Sequence, residues 1–231
     1  MRRLSVFFSF AILISAVVTA AVWAVLSAEG SAGPPDERDS AMLDRVSGGS
    51  GRVITASPGK AKNRAVVRAY EKTDGVWELR FTADGFFGKN GVKADKREGD
   101  GATPSGVYTF VRAFGVADDP GSNLPYTKVT DLDVWVDDPK SKHYNQWASK
   151  NTPDADWKSA EQLIKYPKAY KYALTLNYNT DPIVPGKGSA IFFHCSTGNP
   201  TAGCISVPEE AMIFFLGFAD EETRIAISEA L

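Results

Sequence analysis

The chain lacks a strong excess of charge of either sign and has no run of basic residues. Its formal net charge is −2 over 231 residues. A protein that binds nucleic acid presents basic patches, often with interleaved aromatic residues, to neutralise phosphates. We therefore expect no nucleic-acid partner. A Gly-x-Ser-x-Gly elbow and a Ser-x-x-Lys motif with its downstream partner motifs are also absent, which excludes two common serine acyl-transfer signatures.

Charge is missing altogether from residues 4–28, LSVFFSFAILISAVVTAAVWAVLSA, which follow Arg2 and Arg3. This run exceeds the ~7–15 apolar residues of a signal-peptide core and matches the ~20 that span a bilayer. We predict that residues 1–28 are a signal peptide or an N-terminal membrane anchor, and the length favours the anchor. The small-x-small sequence at 30–32 leaves cleavage open. Because the positive-inside rule keeps the arginines cytoplasmic, we expect the remainder to be extracytoplasmic.

The composition changes twice after the apolar run. Residues 29–63 are rich in Gly, Ser, Pro and charge, which predicts a flexible linker. Residues 64–231 show short apolar or alternating segments separated by turn residues, which predicts one domain that is mainly β with a few helices. The predicted strands are RAVVRAY, VWELRF, GVYTFVRAF, LDVWVDD, YKYALTLNY, SAIFFHC and TRIAIS, and the predicted helices are DWKSAEQLIKY and PEEAMIFFLGF.

Cysteine and histidine are scarce, with two of each, yet three of these four residues lie in IFFHCSTGNPTAGCISVPEE, residues 191–210. A thiol needs a nearby base or a positive dipole to ionise at neutral pH. His194 can supply the base for Cys204, and Gly203 lets backbone amides approach a developing oxyanion. The residue types and spacing favour a cysteine nucleophile at 204.

A helix N-terminus is predicted directly after Cys204. Ser206, Pro208 and Glu209 are spaced as a capping box with proline near the first helical position. The unpaired N–H groups of that helix would favour a negatively charged sulfur.

Three other interpretations of the same residues remain open at this point. In an exported protein, Cys195 and Cys204 can form a disulfide. A zinc site is a second alternative, but His194 and Cys195 are neighbours on a predicted strand and project to opposite faces, which disfavours a shared metal. The third is that these residues are ordinary core residues. The candidate ligands of the zinc alternative are His143, His194, Cys195 and Cys204.

The segment FFHCSTGNPTAGCISVP resembles the active-site segment of the L,D-transpeptidase catalytic domain, or YkuD-like, family of bacterial cell-wall enzymes. The family pattern is an upstream histidine, a loop, and then Ser/Thr-His-Gly-Cys-hydrophobic-Asn. His194 stands in the place of the upstream histidine, and Ala202 and Ser206 depart from the pattern. The residues that match the second part are Thr201, Gly203, Cys204 and Ile205.

Two further segments carry the resemblance. GKNGVKADKREGDGATPSGVYTF (88–110) is similar to the family's Gly-Asp-Gly-x-Thr-Pro-x-Gly motif. WVDDPKSKHYNQW (135–147) is similar to a segment of the subgroup whose active site reads Thr-Ala-Gly-Cys, so Ala202 marks a subgroup. Three motifs in the family's order extend the resemblance over residues 64–231.

The resemblance implies a YkuD-like β-sandwich catalytic domain and a cysteine-dependent acyltransferase that needs no metal and no organic cofactor. Its substrates would be peptidoglycan stem peptides, cross-linked 3→3 through a cysteine thioester, in the cell wall or on the outer face of the cytoplasmic membrane. We expect a monomer, tethered to the membrane if residues 4–28 are kept. Hydrolysis of stem peptides by an L,D-carboxypeptidase or endopeptidase and non-catalytic wall binding remain as alternatives.

Site residues follow from the same resemblance. The catalytic candidates are Cys204, His194 and Gly203. The candidates for substrate binding are Thr201, Ser206, Tyr144 and Asn145, although the last two residues could instead pack beneath the active-site loop.

Overall fold

The computed structural model describes residues 35–229. The predicted signal peptide or anchor, residues 1–28, lies outside this part of the chain. Within residues 35–229, no helix is long and apolar enough to cross a membrane. The two α-helices here are α1 (Glu37–Ser47) and α2 (Glu209–Phe218), and short 3-10 helices cover Leu163–Lys165 and Ala169–Lys171.

The strands of this part of the chain are short and numerous, which confirms the predicted class of a mainly β domain with a few helices. All the segments predicted as strands contain one. The strands are β1 (Arg52–Pro58), β2 (Arg64–Thr73), β3 (Val76–Phe86), β4 (Val92–Lys93), β5 (Thr103–Pro104), β6 (Gly106–Gly115), β7 (Tyr126–Lys128), β8 (Asp133–Val136), β9 (Gln146–Ser149), β10 (Ala160–Gln162), β11 (Ala173–Leu176), β12 (Phe192–Cys195), β13 (Ile205–Val207) and β14 (Arg224–Ile227).

Nine strands form one sheet in the order β11-β12-β13-β3-β2-β1-β14-β6-β7. The first part of β6 pairs with β14, and its second part pairs with β11. Because β6 thus joins the two ends of the sheet, the strands enclose the main apolar core, as in a β-sandwich. Helix α2 covers this core, with the Phe215 ring 4.9 Å from the ring of Phe193.

The hairpin between β2 and β3 shows how local sequence fixes register. Thr73 pairs with Val76, so the loop has two residues. Asp74 and Gly75 both have positive φ, 51° and 84°, as a type I′ turn requires. This turn matches the right-handed twist of the two long strands that it connects.

The predicted linker over 29–63 is wrong for its described part, because residues 37–58 form α1 and β1. Asp36 caps α1 by accepting a hydrogen bond from the Asp39 N–H at 2.8 Å. Leu43 is fully buried against Val53 and Trp77. Strand β1 lies inside the large sheet, between β2 and β14. The folded domain therefore includes α1, because one apolar helix face offsets a polar composition.

The predicted capping box is also wrong. Helix α2 does begin at Glu209, but its N-cap is Pro208 and no side chain caps it. Ser206 lies in the middle of β13 and is fully buried. The three residues of β13 therefore separate Cys204 from Pro208, which occupies the N-cap position. The helix dipole does not act on this sulfur in the way that the sequence suggested.

The segment 156–166, predicted as a helix, instead forms β10 and a 3-10 turn. Strand β10 is one edge of a small sheet of order β10-β8-β9, in which Glu161 pairs with Trp135. Pairing with β8 competes with helix formation and prevails here. The small sheet contributes Trp135 to a second apolar cluster, which also contains Phe114, Tyr170, Phe192 and Cys204.

Candidate active site

Cys204 and His194 lie on the same face of the large sheet. Strands β12 and β13 are parallel, with His194 opposite Ser206. Side chains alternate along a strand, so His194 and Phe192 face the second apolar cluster, whereas Cys195 belongs to the main core. Cys204 directly precedes β13 and belongs to the second cluster. Parallel pairing of two short strands thus brings the predicted nucleophile and the predicted base together.

Both residues line a cavity of about 640 Å³. We call it the Cys204 cavity. Its walls come from β10 and the two 3-10 turns, from the loop before β12, and from the loop 197–204. Polar and charged side chains along these walls include Lys96, Glu98, Asp137, Glu161, Lys165 and Tyr170.

The Cys204 thiol is held between two backbone groups. Its Sγ accepts a hydrogen bond from the Phe192 N–H at 3.4 Å and donates one to the Ala190 carbonyl at 3.2 Å. Burial raises the pKa of Cys204 to about 12, and the negative charge of Glu161 acts in the same direction. The Phe192 N–H and the charge of Lys96 oppose the rise but are smaller effects. The resting sulfur is therefore a thiol at neutral pH, and it needs a base to react.

The His194 ring has the tautomer that a base requires. Its Nδ1 lies 2.8 Å from the carbonyl oxygen of Cys195. Because a carbonyl only accepts, Nδ1 carries the proton, and Nε2 of the neutral ring keeps a free lone pair. Burial lowers the pKa of His194 to about 4. The ring is thus neutral near pH 7, and the pair is a neutral thiol with a neutral imidazole.

Thr201 and Gly203 shape the loop that carries Cys204. The Thr201 hydroxyl donates to the Cys204 carbonyl at 2.7 Å and accepts the Gly203 N–H at 3.1 Å. A Cβ at position 203 would lie 3.1 Å from the carbonyl oxygen of Ala102, which is tight and favours glycine. Both residues line the Cys204 cavity. The Gly203 amide, predicted to face an oxyanion, is bonded to Thr201 in this state.

Tyr144 and Asn145 do not line the cavity, contrary to the prediction that they contact substrate. Both are almost completely buried. The Tyr144 hydroxyl donates to Glu98 and accepts the N–H of Gly188 at 3.1 Å. Tyr144 thus supports the wall from behind.

The side-chain amide of Asn145 makes all its hydrogen bonds with other groups of the protein. Its Oδ1 accepts from Trp135 Nε1 at 3.0 Å and from the Ala190 N–H at 3.1 Å, and its Nδ2 donates to the carbonyls of Tyr178 and Asn179. Asn145 therefore fixes the main chain at Ala190, whose carbonyl holds the Cys204 thiol. This agrees with the alternative of packing beneath the loop.

Ser206 also departs from its predicted role in substrate binding. It is fully buried in β13, does not line the cavity, and its hydroxyl has no hydrogen-bond partner among the described residues. The neighbour of Ser206 across the strand pair is His194. The hydroxyl is too deeply enclosed to touch a substrate without rearrangement.

The two cysteines are both free. Cys195 points into the main core, where its Sγ lies 3.6 Å from the Tyr172 carbonyl, and burial raises its pKa to about 11. A disulfide between Cys195 and Cys204 is absent because Cys195 belongs to the main core and Cys204 belongs to the second apolar cluster, on the other side of the sheet. The disulfide alternative is thus contradicted.

The fourth candidate zinc ligand lies elsewhere. The His143 ring stacks edge-on against Trp157 at 5.4 Å, and its Nε2 is 3.5 Å from a carboxylate oxygen of Asp154. Among residues 35–229, no group of three or more His, Cys, Asp and Glu side chains is arranged to hold a metal ion. The described residues thus offer no cluster to which the zinc alternative could apply.

Sequence reasoning missed Glu161 and Tyr170. Glu161 lies in a segment predicted to be helical, and Tyr170 begins a segment predicted to be a strand. The Tyr170 hydroxyl donates to Glu161 at 2.7 Å, and its ring lies edge-on to the His194 ring at 5.4 Å. No local motif marks either residue, because only the packing of β10 and the second 3-10 turn brings them to the cavity.

A comparison with models of known protein families agrees with this fold. Residues 52–227 match the family model of the YkuD L,D-transpeptidase catalytic domain. The chain belongs to this family, since the match covers well over half of it. No curated protein matches.

A solved structure of Bd1075 from Bdellovibrio bacteriovorus is similar at 15% sequence identity and a TM-score of 0.42. The match covers 78% of this chain and 48% of that one. The present chain thus spans about half the length of that protein.

Proposed function

We propose that this protein is a peptidoglycan L,D-transpeptidase that forms 3→3 cross-links through a thioester on Cys204. The observation that carries the proposal is the pairing of Cys204 with His194 in one cavity, with His194 Nδ1 bonded to the Cys195 carbonyl. Membership of the YkuD family supports the reaction class and a peptidoglycan substrate.

In the first half-reaction, His194 Nε2 takes the thiol proton as Sγ attacks the carbonyl of the third stem residue, a diaminopimelate. The bond to the terminal D-alanine then breaks, and the imidazolium returns the proton to the leaving amine. One imidazole can fill both roles because it takes the thiol proton during attack and returns the same proton to the leaving amine, so the ring is charged only between the two transfers. The neutral resting pair agrees with proton transfer that is coupled to attack.

In the second half-reaction, the side-chain amine of another stem attacks the thioester. An amide bond forms, the C–S bond breaks, and Cys204 recovers a proton. Gly203 is the candidate for stabilising the oxyanion, and this role requires its N–H to leave Thr201 as the substrate binds. Thr201 is the substrate-binding candidate that lines the cavity.

We also propose that the domain acts outside the cytoplasm, in the cell wall or at the outer face of the cytoplasmic membrane, with residues 4–28 as signal or tether. A monomer would suffice, because one chain supplies both Cys204 and His194. The family's substrate, which lies outside the cytoplasmic membrane, supports this location.

Mass spectrometry of intact protein after incubation with a carbapenem tests the nucleophile. We expect one adduct in the wild type and in Cys195→Ala, and none in Cys204→Ala. The Cys195→Ala variant is the matched control, since it keeps the backbone carbonyl that orients His194. An adduct on Cys204→Ala would refute Cys204 as the nucleophile.

Incubation with tetrapeptide muropeptides tests the acceptor. Cross-linked dimers support transpeptidation, whereas shortened stems without dimers would assign the site to hydrolysis. Absence of both products and of the carbapenem adduct would leave a wall-binding domain.

A further inference from the structure

The proposed transpeptidation releases a proton that His194 and the leaving thiolate do not take up. A primary alkyl amine is an ammonium ion at neutral pH. It must lose one proton before it can attack and a second one as the amide forms. The thiolate leaving group takes up only one of these. The half-reaction is therefore R–NH3⁺ plus thioester giving amide, thiol and one free proton, so that a second base is required.

Glu161 is placed to be this base. It lines the same cavity as Cys204 and His194, on β10, which closes the cavity from the small sheet. Its Oε1 accepts the Tyr170 hydroxyl at 2.7 Å. A carboxylate has further lone pairs beyond that bond, and in Glu161 they are available to a cation in the cavity.

The surroundings of Glu161 suit reversible proton transfer. Burial is the main cause that raises the pKa of Glu161 to about 7; the Tyr170 hydrogen bond lowers this pKa, and the nearby charge of Asp137 raises it, by smaller amounts. The other titratable groups that interact with it are Tyr166 and Cys204, and Lys165 is a further charged group of the cavity wall. No described cation forms an ion pair with Glu161.

Glu161 and Cys204 are also coupled to each other. A negative Glu161 raises the pKa of Cys204, so a protonated Glu161 favours the thiolate. The D-alanine amine leaves as a neutral amine with the proton that His194 returns and takes up one more proton to become an ammonium ion, whereas the incoming ammonium must lose one. A single carboxyl group can supply the first and take the second.

We propose that Glu161 is a second proton-transfer residue of the Cys204 cavity, which accepts the proton that an ammonium acceptor loses before it attacks the thioester. The inference rests on the proposed function and extends it to the acceptor, a primary amine that binds as a cation beside Glu161. In the donor half-reaction, the same carboxyl group, then protonated, gives its proton to the departing amine.

The test compares two acceptors on the acyl-enzyme. The first is a stem peptide that carries the side-chain ammonium. The second is hydroxylamine, which is largely neutral near pH 7 and brings no extra proton. Glu161→Gln keeps an oxygen that can accept the Tyr170 hydrogen bond but does not take up a proton. Tyr170→Phe is the matched control, because it removes the hydroxyl and keeps the carboxyl group.

The rate of loss of the thioester is measured by mass spectrometry after a rapid donor pulse. We expect Glu161→Gln to slow aminolysis by the peptide about 100-fold, within the usual range for general acid–base catalysis. Aminolysis by hydroxylamine should change less than about 3-fold, since it bypasses the step. Tyr170→Phe should separate the two acceptors far less than Glu161→Gln does, because it keeps the carboxyl group.

Equal slowing of both acceptors in Glu161→Gln would show a purely structural role and overturn the inference. An unchanged rate with the peptide would overturn it as well. The proposed function fails differently: a wild-type protein that forms no thioester on Cys204 contradicts the acyl-enzyme itself, before any acceptor is added.

Discussion

The neutral state of the Cys204–His194 pair leads to a sharp prediction about thiol reactivity. A pKa of about 12 for Cys204, against 9.0 for an unperturbed thiol, lowers the thiolate population at neutral pH about 1000-fold. A small alkylating agent does not position His194 for proton transfer, so its rate follows this population. In Cys195→Ala, where one thiol remains, we expect the alkylation rate to rise about tenfold per pH unit between pH about 6 and 9.

The assay is iodoacetamide alkylation followed by intact mass across that pH range. The slope of the logarithm of the alkylation rate against pH is more informative than the absolute rate, because restricted access slows the reaction equally at every pH. The denatured protein is the reference, and its rate should level off near the ordinary thiol pKa. In the folded protein, His194→Gln should leave the slope unchanged, while carbapenem acylation falls by about 100-fold or more, because a general base is lost.

A different dependence of the alkylation rate on pH is expected if the resting pair is charged. A preformed thiolate–imidazolium pair would give a rate that is flat through neutral pH and that drops with the titration of His194. Such a plateau, abolished by His194→Gln, would refute the neutral resting pair.

Three further predictions concern the framework of the site. Leu43→Ala should lower the free energy of unfolding by about 3 kcal/mol, measured by urea denaturation, since the side chain is fully buried; no loss would mean that α1 is dispensable. Asn145→Ala should cost about 3 kcal/mol because it leaves buried hydrogen-bonding groups unpaired, and it should slow acylation by freeing Ala190; a raised KM at unchanged stability would instead indicate substrate contact. His194 has a pKa that burial lowers to about 4, so the unfolded chain takes up the proton first, and stability should fall as the pH drops from about 6.5 to about 4; His194→Gln should remove that part of the loss, and identical pH curves would contradict it.

The sequence by itself determined the features that depend on neighbouring residues along the chain. The positive-φ pair Asp74-Gly75 specifies its hairpin turn. The alternation of side chains in a strand puts His194 and Cys195 on opposite faces. The order of three motifs identifies the family, and with it the candidates Cys204 and His194. Each of these signals is local, because backbone preferences and side-chain periodicity act over a few residues.

Other features were decided only by tertiary structure. The polar composition of residues 37–58 predicts a linker, but the contacts of Leu43 with Val53 and Trp77 make this segment part of the folded domain. The local sequence predicts that Ser206 caps a helix, but β13 pairs with β12 and Ser206 is buried within that strand. Glu161 belongs to no sequence motif, and its segment is predicted to be helical. Instead, this segment forms β10, which pairs with β8 and lines the cavity. In each case, contacts between residues far apart in the chain outweigh the local preference, since burial and strand pairing contribute more free energy than helix propensity or capping does.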